Sequence, residues 1–394
     1  MVQKKKILFL IHTLQVGGAE KVLVNLVNNM DKSKYDITVM TVVNTGAFRK
    51  ELSNEIKYKT IFNIPNVKKK SNGESGNILN KTSKIKKFLL RLYGFFWRHV
   101  DCKKIYKRYI KDEYDVEIAF LEGVTTKIIS ASTNKNSKKI AWLHVDLVKE
   151  TKTDKFFKST IEEKKIYEHF DNIVAVSKVV KDQFISKFSF EQKEKVIVRY
   201  NVIDEKAIYQ KSKEKLPIEK TKFTLCTIGR LASQKGYSRL LKIVKKLNDD
   251  GLVFELWIIG VGPEERLLKD FIQENNLQNV VMLGYQKNPY KYLTNADAFV
   301  CSSIAEGFST VVSEAIILGK PVITTDCAGM KEMLGENDEF GIVTENSENG
   351  LYNGLNKFLS DEKIYDFYKK QILKRKDMFS LKKAVSEVEK LIEE

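Results

Sequence analysis

Two glutamates eight residues apart, Glu306 and Glu314, bracket the run Gly307-Phe308-Ser309-Thr310-Val311-Val312-Ser313. The run follows an apolar stretch, Ala298–Ser302, and leads into a helical pattern that ends near Gly319. At such a junction the amides of Gly307, Phe308 and Ser309 open a helix. Free N–H groups and the helix dipole together suit a phosphate. Glu306 lies in the loop. Glu314, one turn or so into the helix, cannot serve that phosphate, but its carboxylate can accept hydrogen bonds from a pair of vicinal hydroxyls. The alternative is a loop carboxylate and a helix residue in an ion pair. Glu314 precedes Ala315-Ile316-Ile317-Leu318, and a carboxylate in an apolar helix is costly without a purpose.

Three further turns could hold an anion or wall a ligand. The apolar run Phe223–Gly229 ends in Gly229-Arg230-Leu231-Ala232-Ser233-Gln234-Lys235-Gly236. Arg230 and Lys235 can neutralise a diphosphate, the first as a planar fork and the second as a point charge. Two solvated surface cations are the alternative. The next run ends in Gly260-Val261-Gly262-Pro263, and the one after in Leu283-Gly284-Tyr285-Gln286. Such turns can wall a nucleobase. Near the start, Gln15-Val16-Gly17-Gly18-Ala19-Glu20 follows the run Lys6–Ile11 and precedes a helical pattern. Two glycines there either bring free amides to an anion or make a tight turn that needs positive φ.

These turns need strands and helices to hold them. Short apolar runs alternate with helix-period segments, which predicts βα units and a parallel sheet. The first half offers strands at Lys6–Ile11, Asp36–Val43, Val116–Leu121, Ile140–Val145, Ile173–Ser177 and Val196–Arg199. The second offers Phe223–Gly229, Phe254–Gly260, Val280–Leu283, Ala298–Ser302 and Val322–Thr325, with helices such as Ala19–Asn29, Tyr237–Asn248 and Thr310–Leu318. A polar, Lys-rich stretch with Pro217, between Ile203 and Thr221, marks the domain boundary, and the final segment from about Leu381 reads as an amphipathic helix. The 394 residues are 43% hydrophobic and 30% charged, which excludes disorder along the whole chain. No apolar run reaches the ~18 residues of a membrane span. The short apolar run after Lys4-Lys5-Lys6 reads as a strand rather than a signal peptide, so a cytoplasmic location is expected. Cys102, Cys226, Cys301 and Cys327 are scattered, as suits a reducing compartment. There is no Asp-x-Asp, hence no local carboxylate pair for a divalent ion that would carry a diphosphate.

Taken in order, Gly17-Gly18-Ala19-Glu20, Gly229-Arg230 with Lys235-Gly236, Gly260-Val261-Gly262-Pro263, and Glu306-x7-Glu314 with Gly319-Lys320-Pro321 resemble family 4 glycosyltransferases. These are retaining enzymes of the GT-B fold. The resemblance covers nearly the whole chain, tightest over 223–345 and loose over about 60–135. It implies an α/β protein of two facing doubly wound Rossmann-like domains. An acceptor-binding domain is expected at 1–203, a nucleotide-sugar domain at 204–376, and a C-terminal helix at 377–394 crossing back to the first. It further implies that Arg230 and Lys235 bind the donor diphosphate and stabilise it as it leaves. Glu306 would contact the donor sugar near the reacting carbon, helped by amides of Gly307, Phe308, Ser309 and Thr310. Glu314 would bind the nucleotide ribose. Gly17 and Gly18 would approach the diphosphate, Gly260, Gly262 and Tyr285 would line the donor, and His144, after Trp142-Leu143, would act near the sugar or the acceptor hydroxyl. The partners implied are a nucleotide sugar, UDP-hexose or UDP-N-acetylhexosamine by family frequency, and a polyprenyl-linked or other glycan acceptor in surface-polysaccharide synthesis. No cofactor or metal is implied, since protein cations take the metal's place. Two departures stand out. Val202 replaces the glycine often found in Asn-Gly-Val/Ile-Asp, and Ser309-Thr310 stands where many members have Gly-Leu or Pro-Met.

The formal net charge of +17 is unevenly spread. From Lys81 to Lys111 there are eleven Lys or Arg and a single acid, Asp101. Phe88, Leu89, Leu92, Phe95, Phe96 and Trp97 lie among them, with Lys86, Lys87 and Arg91 alongside. A basic amphipathic helix with aromatics reads as an element for an anionic membrane surface, placing the protein peripherally at the inner face of the cell membrane. The alternative is a core helix with solvated lysines. Two other classes compete with the transferase. A nucleotide-sugar epimerase on the same fold would consume donor without an acceptor, and the glutamate pair argues against it. A nucleic-acid-binding protein would explain the charge, but no reader motif is present and none of the phosphate-site turns would be accounted for.

Overall fold

Strands buried on both faces must be apolar along their whole length, and the central strands here are. A computed structural model describes residues 3–63, 89 and 91–394. Ile7 to Ile11 are completely buried in β1 (Lys5–Ile11). Around it runs a seven-stranded parallel sheet in the order β3-β2-β1-β4-β5-β6-β7. The other strands are β2 (Tyr35–Val43), β3 (Lys57–Phe62), β4 (Val116–Ala119), β5 (Lys138–Leu143), β6 (Asn172–Ala175) and β7 (Val196–Val198). A second parallel sheet has the order β10-β9-β8-β11-β12-β13. It comprises β8 (Thr224–Ile228), β9 (Glu255–Ile259), β10 (Val280–Gly284), β11 (Ala298–Cys301), β12 (Val322–Thr325) and β13 (Ile342–Thr344). Each sheet is doubly wound. Its strand order reverses at one point, between β1 and β4 in the first and between β8 and β11 in the second, and the carboxyl ends of the strands at such a point are where doubly wound sheets bind ligands.

The chain divides into two compact units. One comprises Met1–Val176, Val180–Arg199 and Val385–Glu394, and the other Ser177–Val179 and Tyr200–Ala384. The stretch read as a linker carries a helix, Glu205–Ser212, whose N-cap Asp204 accepts the Ala207 amide. Tyr209 from this helix donates to the Ile317 carbonyl at 2.6 Å. The last helix, Leu381–Glu393, buries Val385, Val388, Leu391 and Ile392. Its end is tied to the first sheet: Lys5 donates to the Ile392 carbonyl and pairs with Glu393, and Lys138 donates to the Leu391 carbonyl.

The basic stretch departs from the expectation in two ways. Among the described residues it is not one helix. Residues 91–99 form one, and Asp101 then caps a second, Cys102–Tyr109, by accepting the Lys103 and Lys104 amides. Nor does Trp97 belong to an outer face. It is wholly buried, with its ring edge-on to Phe62 at 6.1 Å and to Tyr93 at 6.2 Å, so it is core and cannot reach a membrane surface. Phe95 and Phe96 are exposed. Lys86 and Lys87 lie outside the described residues.

Candidate functional site

In the second unit, the loops after β8 and β11 are stitched to each other before either can hold a ligand. The Ile304 amide donates to the Gln234 carbonyl at 2.7 Å, Gln234 Nε2 to the Ala305 carbonyl at 3.0 Å, and Ser302 Oγ to the Lys235 carbonyl at 2.8 Å. Arg239, from the helix Tyr237–Asp249, donates to the carbonyls of Ser302 and Ser303. This fixes two side chains 71 residues apart in sequence. Lys235 Nζ lies 2.5 Å from Glu306 Oε1, the same oxygen that accepts Ser303 Oγ at 2.6 Å. Burial works against the ammonium, but the neighbouring Glu306 carboxylate more than offsets it and raises the Lys235 pKa above its ordinary value. Arg230 is exposed at the tip of the same loop.

The glycines of these turns are required by packing. Gly260 has φ +146°, and a Cβ there would overlap the Gly229 carbonyl oxygen, as one at Gly262 would overlap that of Leu231. The two loops lie backbone on backbone, with the Leu231 amide donating to the Val261 carbonyl at 3.1 Å. Tyr285, beyond β10, is exposed.

The phosphate-competent feature is the entry to the helix Thr310–Ile317. Ser177 Oγ donates to the Gly307 carbonyl at 3.1 Å, and Asn201 Nδ2 to the Phe308 carbonyl at 2.9 Å. Across a trans peptide the next N–H points the opposite way. The amides of Phe308 and Ser309 are therefore aimed away from Ser177 and Asn201. Ser309 is the N-cap but makes no side-chain cap, and its buried Oγ has no partner. The amides of the first turn, from Thr310 onward, thus keep their capacity for an acceptor. Phe308 is buried, its ring tilted against Tyr200 at 5.1 Å. Glu314 is buried on the same helix and accepts the Tyr290 hydroxyl at 3.0 Å.

In the first unit, Gly17 is extended (φ −162°, ψ 164°) and Gly18 begins the helix Gly18–Asn29. A turn demanding positive φ is thereby excluded. Instead, the Glu20 carboxylate folds back into the space a Gly17 side chain would fill. His144 follows β5. Its amide donates to Glu122 Oε1 at 3.2 Å, and its ring packs on Phe120 at 4.9 Å and near-parallel to Trp142 at 6.5 Å. Burial pushes its pKa down to about 3, against a backbone hydrogen bond at Phe120, so the imidazole is neutral at working pH. Glu122, directly after β4, is pushed up to about 7 by burial, opposed by the amides of Glu122, His144 and Val145.

Sequence reasoning missed Ser303, Arg239, Tyr290 and Glu122. Only Glu122 left a local signal, a carboxylate at a strand's carboxyl end followed by Gly123, whose φ is +89°. Arg239 and Tyr290 act through partners far away in sequence, and Ser303 through a bond to Glu306 that its residue type alone does not announce.

A family described as glycosyl transferases group 1 matches residues 209–378. An uncharacterized glycosyltransferase of Methanocaldococcus jannaschii is 30% identical over 274 residues, covering 68% of this chain and 67% of that protein. The N-acetylgalactosamine-N,N'-diacetylbacillosaminyl-diphospho-undecaprenol 4-alpha-N-acetylgalactosaminyltransferase of Campylobacter jejuni is 35% identical over 217 residues, covering 54% of this chain and 58% of that enzyme. The chain thus matches little more than half of the Campylobacter enzyme's length. Among solved structures, Anabaena HepE in complex with UDP and glucose superposes with a TM-score of 0.72 at 19% identity, covering 99% of both chains. The two Rossmann-like parallel sheets are those of the GT-B fold. With two thirds of the Methanocaldococcus protein matched at this identity, and the family pattern falling on the second sheet and its loops, the chain belongs to the group 1 glycosyl transferases.

Proposed function

We propose that this chain transfers a hexose or N-acetylhexosamine, with retention of configuration and without a metal, from a UDP-sugar to a hydroxyl of a lipid-linked or glycan acceptor in surface-polysaccharide synthesis. One observation carries the reading. At the carboxyl edge of the second sheet, a Lys235–Glu306 pair held by Ser303 shares the 303–309 loop with the outward-aimed amides of Phe308 and Ser309. That is an anion site beside a carboxylate suited to hydroxyls. The Campylobacter relative, named for transfer onto a diphospho-undecaprenol-linked sugar, and HepE, seen with UDP and glucose, support the choice of donor and acceptor class.

In the proposed reaction the acceptor oxygen bonds to the anomeric carbon on the face from which UDP departs. The bond between that carbon and the β-phosphate oxygen breaks with its electron pair going to UDP, and a β-phosphate oxygen takes the acceptor's proton. Lys235, Arg230 and the amides of Phe308 and Ser309 stabilise the charge that grows on the diphosphate. Glu306 holds a sugar hydroxyl, and Glu314 holds the ribose diol beside Tyr290. His144 is neutral and carries no proton through the reaction.

The test is a thermal-shift screen of nucleoside diphosphates, followed by turnover of UDP-glucose, UDP-galactose and their N-acetylamino counterparts with a polyprenyl-diphosphate-linked sugar acceptor. UDP raises the melting temperature, and an α-linked product forms from an α-linked donor with or without chelator. A β-linked product refutes retention, and loss of turnover in chelator refutes metal independence. Conversion of donor to an isomer without acceptor supports the epimerase instead.

A further inference from the structure

We propose that the outer face of the helix at residues 91–99 is a wedge that docks the first unit on an anionic lipid surface. The helix is apolar on two sides. Inward it buries Gly94 and the whole of Trp97. Outward, Leu92 is 48% exposed, Phe95 62% and Phe96 45%, with Leu89 at 57% just before them. At ~100° per residue, positions 92, 95 and 96 share the arc opposite Trp97. Single exposed apolar residues are ordinary, but a cluster with two phenylalanines on one helix face marks an interaction site.

The charges select the partner. Arg91 is exposed on the same helix. In the helix Cys102–Tyr109, Lys103, Lys104, Lys107 and Arg108 are exposed while Cys102 and Tyr106 are buried. Residues 91–99 hold no acid, and Asp101 is spent on the cap of the second helix. Exposed aromatic side chains close in sequence to exposed cations match a bilayer with acidic headgroups, where the rings enter the headgroup–acyl boundary and the cations meet phosphate. The wedge is held firmly. Buried Lys127 donates to the carbonyls of Trp97 (2.8 Å) and Phe156 (2.9 Å), and the Tyr93 hydroxyl meets His12 Nε2 at 3.3 Å, one residue beyond β1.

The inference rests on the proposed function only for its purpose, which is to bring the enzyme to a lipid-linked acceptor. Binding is measured without it. The full chain is floated with phosphatidylcholine vesicles, alone or with phosphatidylglycerol, at low and high salt. Binding is expected only with phosphatidylglycerol and should fall at least ~10-fold at high salt. The double variant Phe95→Ser/Phe96→Ser should lose at least ~10-fold in binding with only a small fall in melting temperature, because Phe95 is mostly solvated while Phe96 packs edge-on against Trp97 at 5.3 Å. Lys103→Glu/Lys107→Glu should lose as much. The proposal is overturned by absence of binding to phosphatidylglycerol vesicles at low salt, by equal binding to both vesicle types, or by wild-type binding of the Phe variant. It is overturned too if the Phe variant merely converts a dimer to a monomer, which would make a second copy the occupant. Should vesicle binding hold while UDP neither shifts the melting temperature nor is released from any donor, the enzymatic reading fails and the docking surface stands.

Discussion

Replacing Glu306 by Gln removes one charge and keeps the shape. The amide oxygen can still accept from Lys235 and Ser303, so the loop after β11 retains its conformation. The fold cost follows from exposure, since the side chains of Lys235 and Glu306 are 25% and 11% exposed. A fully buried pair that loses one partner costs ~3–5 kcal/mol, a surface pair ~0–1 kcal/mol. This pair lies between, and a retained hydrogen bond brings the cost to ~1–2 kcal/mol. For a unit of roughly 200 residues, that lowers the melting temperature by ~2–8 °C. Turnover should suffer more. A preorganised polar contact made in the transition state is worth ~10²–10³ in kcat, or ~3–4 kcal/mol. The assay is UDP release from the donor that the wild type uses, well below the variant's melting temperature, with UDP affinity measured in parallel. Glu306→Gln should retain UDP binding within a few-fold and lose kcat by two orders or more. A variant with a lowered melting temperature but wild-type kcat would show that Glu306 is only the ion-pair partner of Lys235, and would remove it from the mechanism.

Tyr290→Phe takes the hydroxyl from Glu314 Oε1 and should weaken UDP binding by ~5–10-fold, while Glu314→Gln should narrow the preference for UDP over its 2′-deoxy analogue; calorimetric titration measures both. Gly262→Ala forces a Cβ onto the Leu231 carbonyl and should lower the melting temperature by several degrees and UDP affinity with it; a neutral result would mean that the two loops are free to separate. In the first unit, the folded pKa of His144 is about 3 against an ordinary 6.5, so the folded state binds fewer protons and stability falls as pH drops through that window. His144→Gln should flatten the melting curve between pH 6 and 4. Glu122 has the opposite sign, its folded pKa of about 7 lying above 4.5, so its contribution is present at low pH and lost as pH rises to 7. Glu122→Gln should therefore raise the melting temperature more at pH 8 than at pH 5.

The strands legible in the sequence are all of those in the middle of the sheets, together with the edge strands β7 and β10. β1, β8 and β11 are short apolar runs because helices or neighbouring chain cover both faces. β3 was missed for the converse reason, and β13, buried at Ile342 and Thr344, because it is only three residues long. They are edge strands, and β3 alternates Lys57 and Lys59 with Tyr58 and Thr60, leaving it only partly buried. Within the site, turns were legible and partnerships were not. Glu306 and Lys235 were each visible as chemistry-bearing residues, yet nothing local says that they bond to each other. Trp97 shows the limit of periodicity: with apolar residues on both sides of a helix, composition cannot say which side is inward.

The glycine turns carry a more general point. Gly260 and Gly262 look like a ligand's footprint in sequence, and the structure gives each a role in which no ligand takes part. This does not weaken the site; it explains its rigidity. Because the loops after β8 and β9 touch backbone to backbone, the loop carrying Arg230 and Lys235 has little freedom. Arg239, Ser177 and Asn201 act in the same way by occupying carbonyls. A peptide whose oxygen is bound cannot rotate, so its neighbour's N–H keeps its direction without itself being bonded. An anion site made of backbone must satisfy the acceptors and leave the donors unspent, and the carbonyls of Gly307, Phe308 and Ser309 are all taken up in this way.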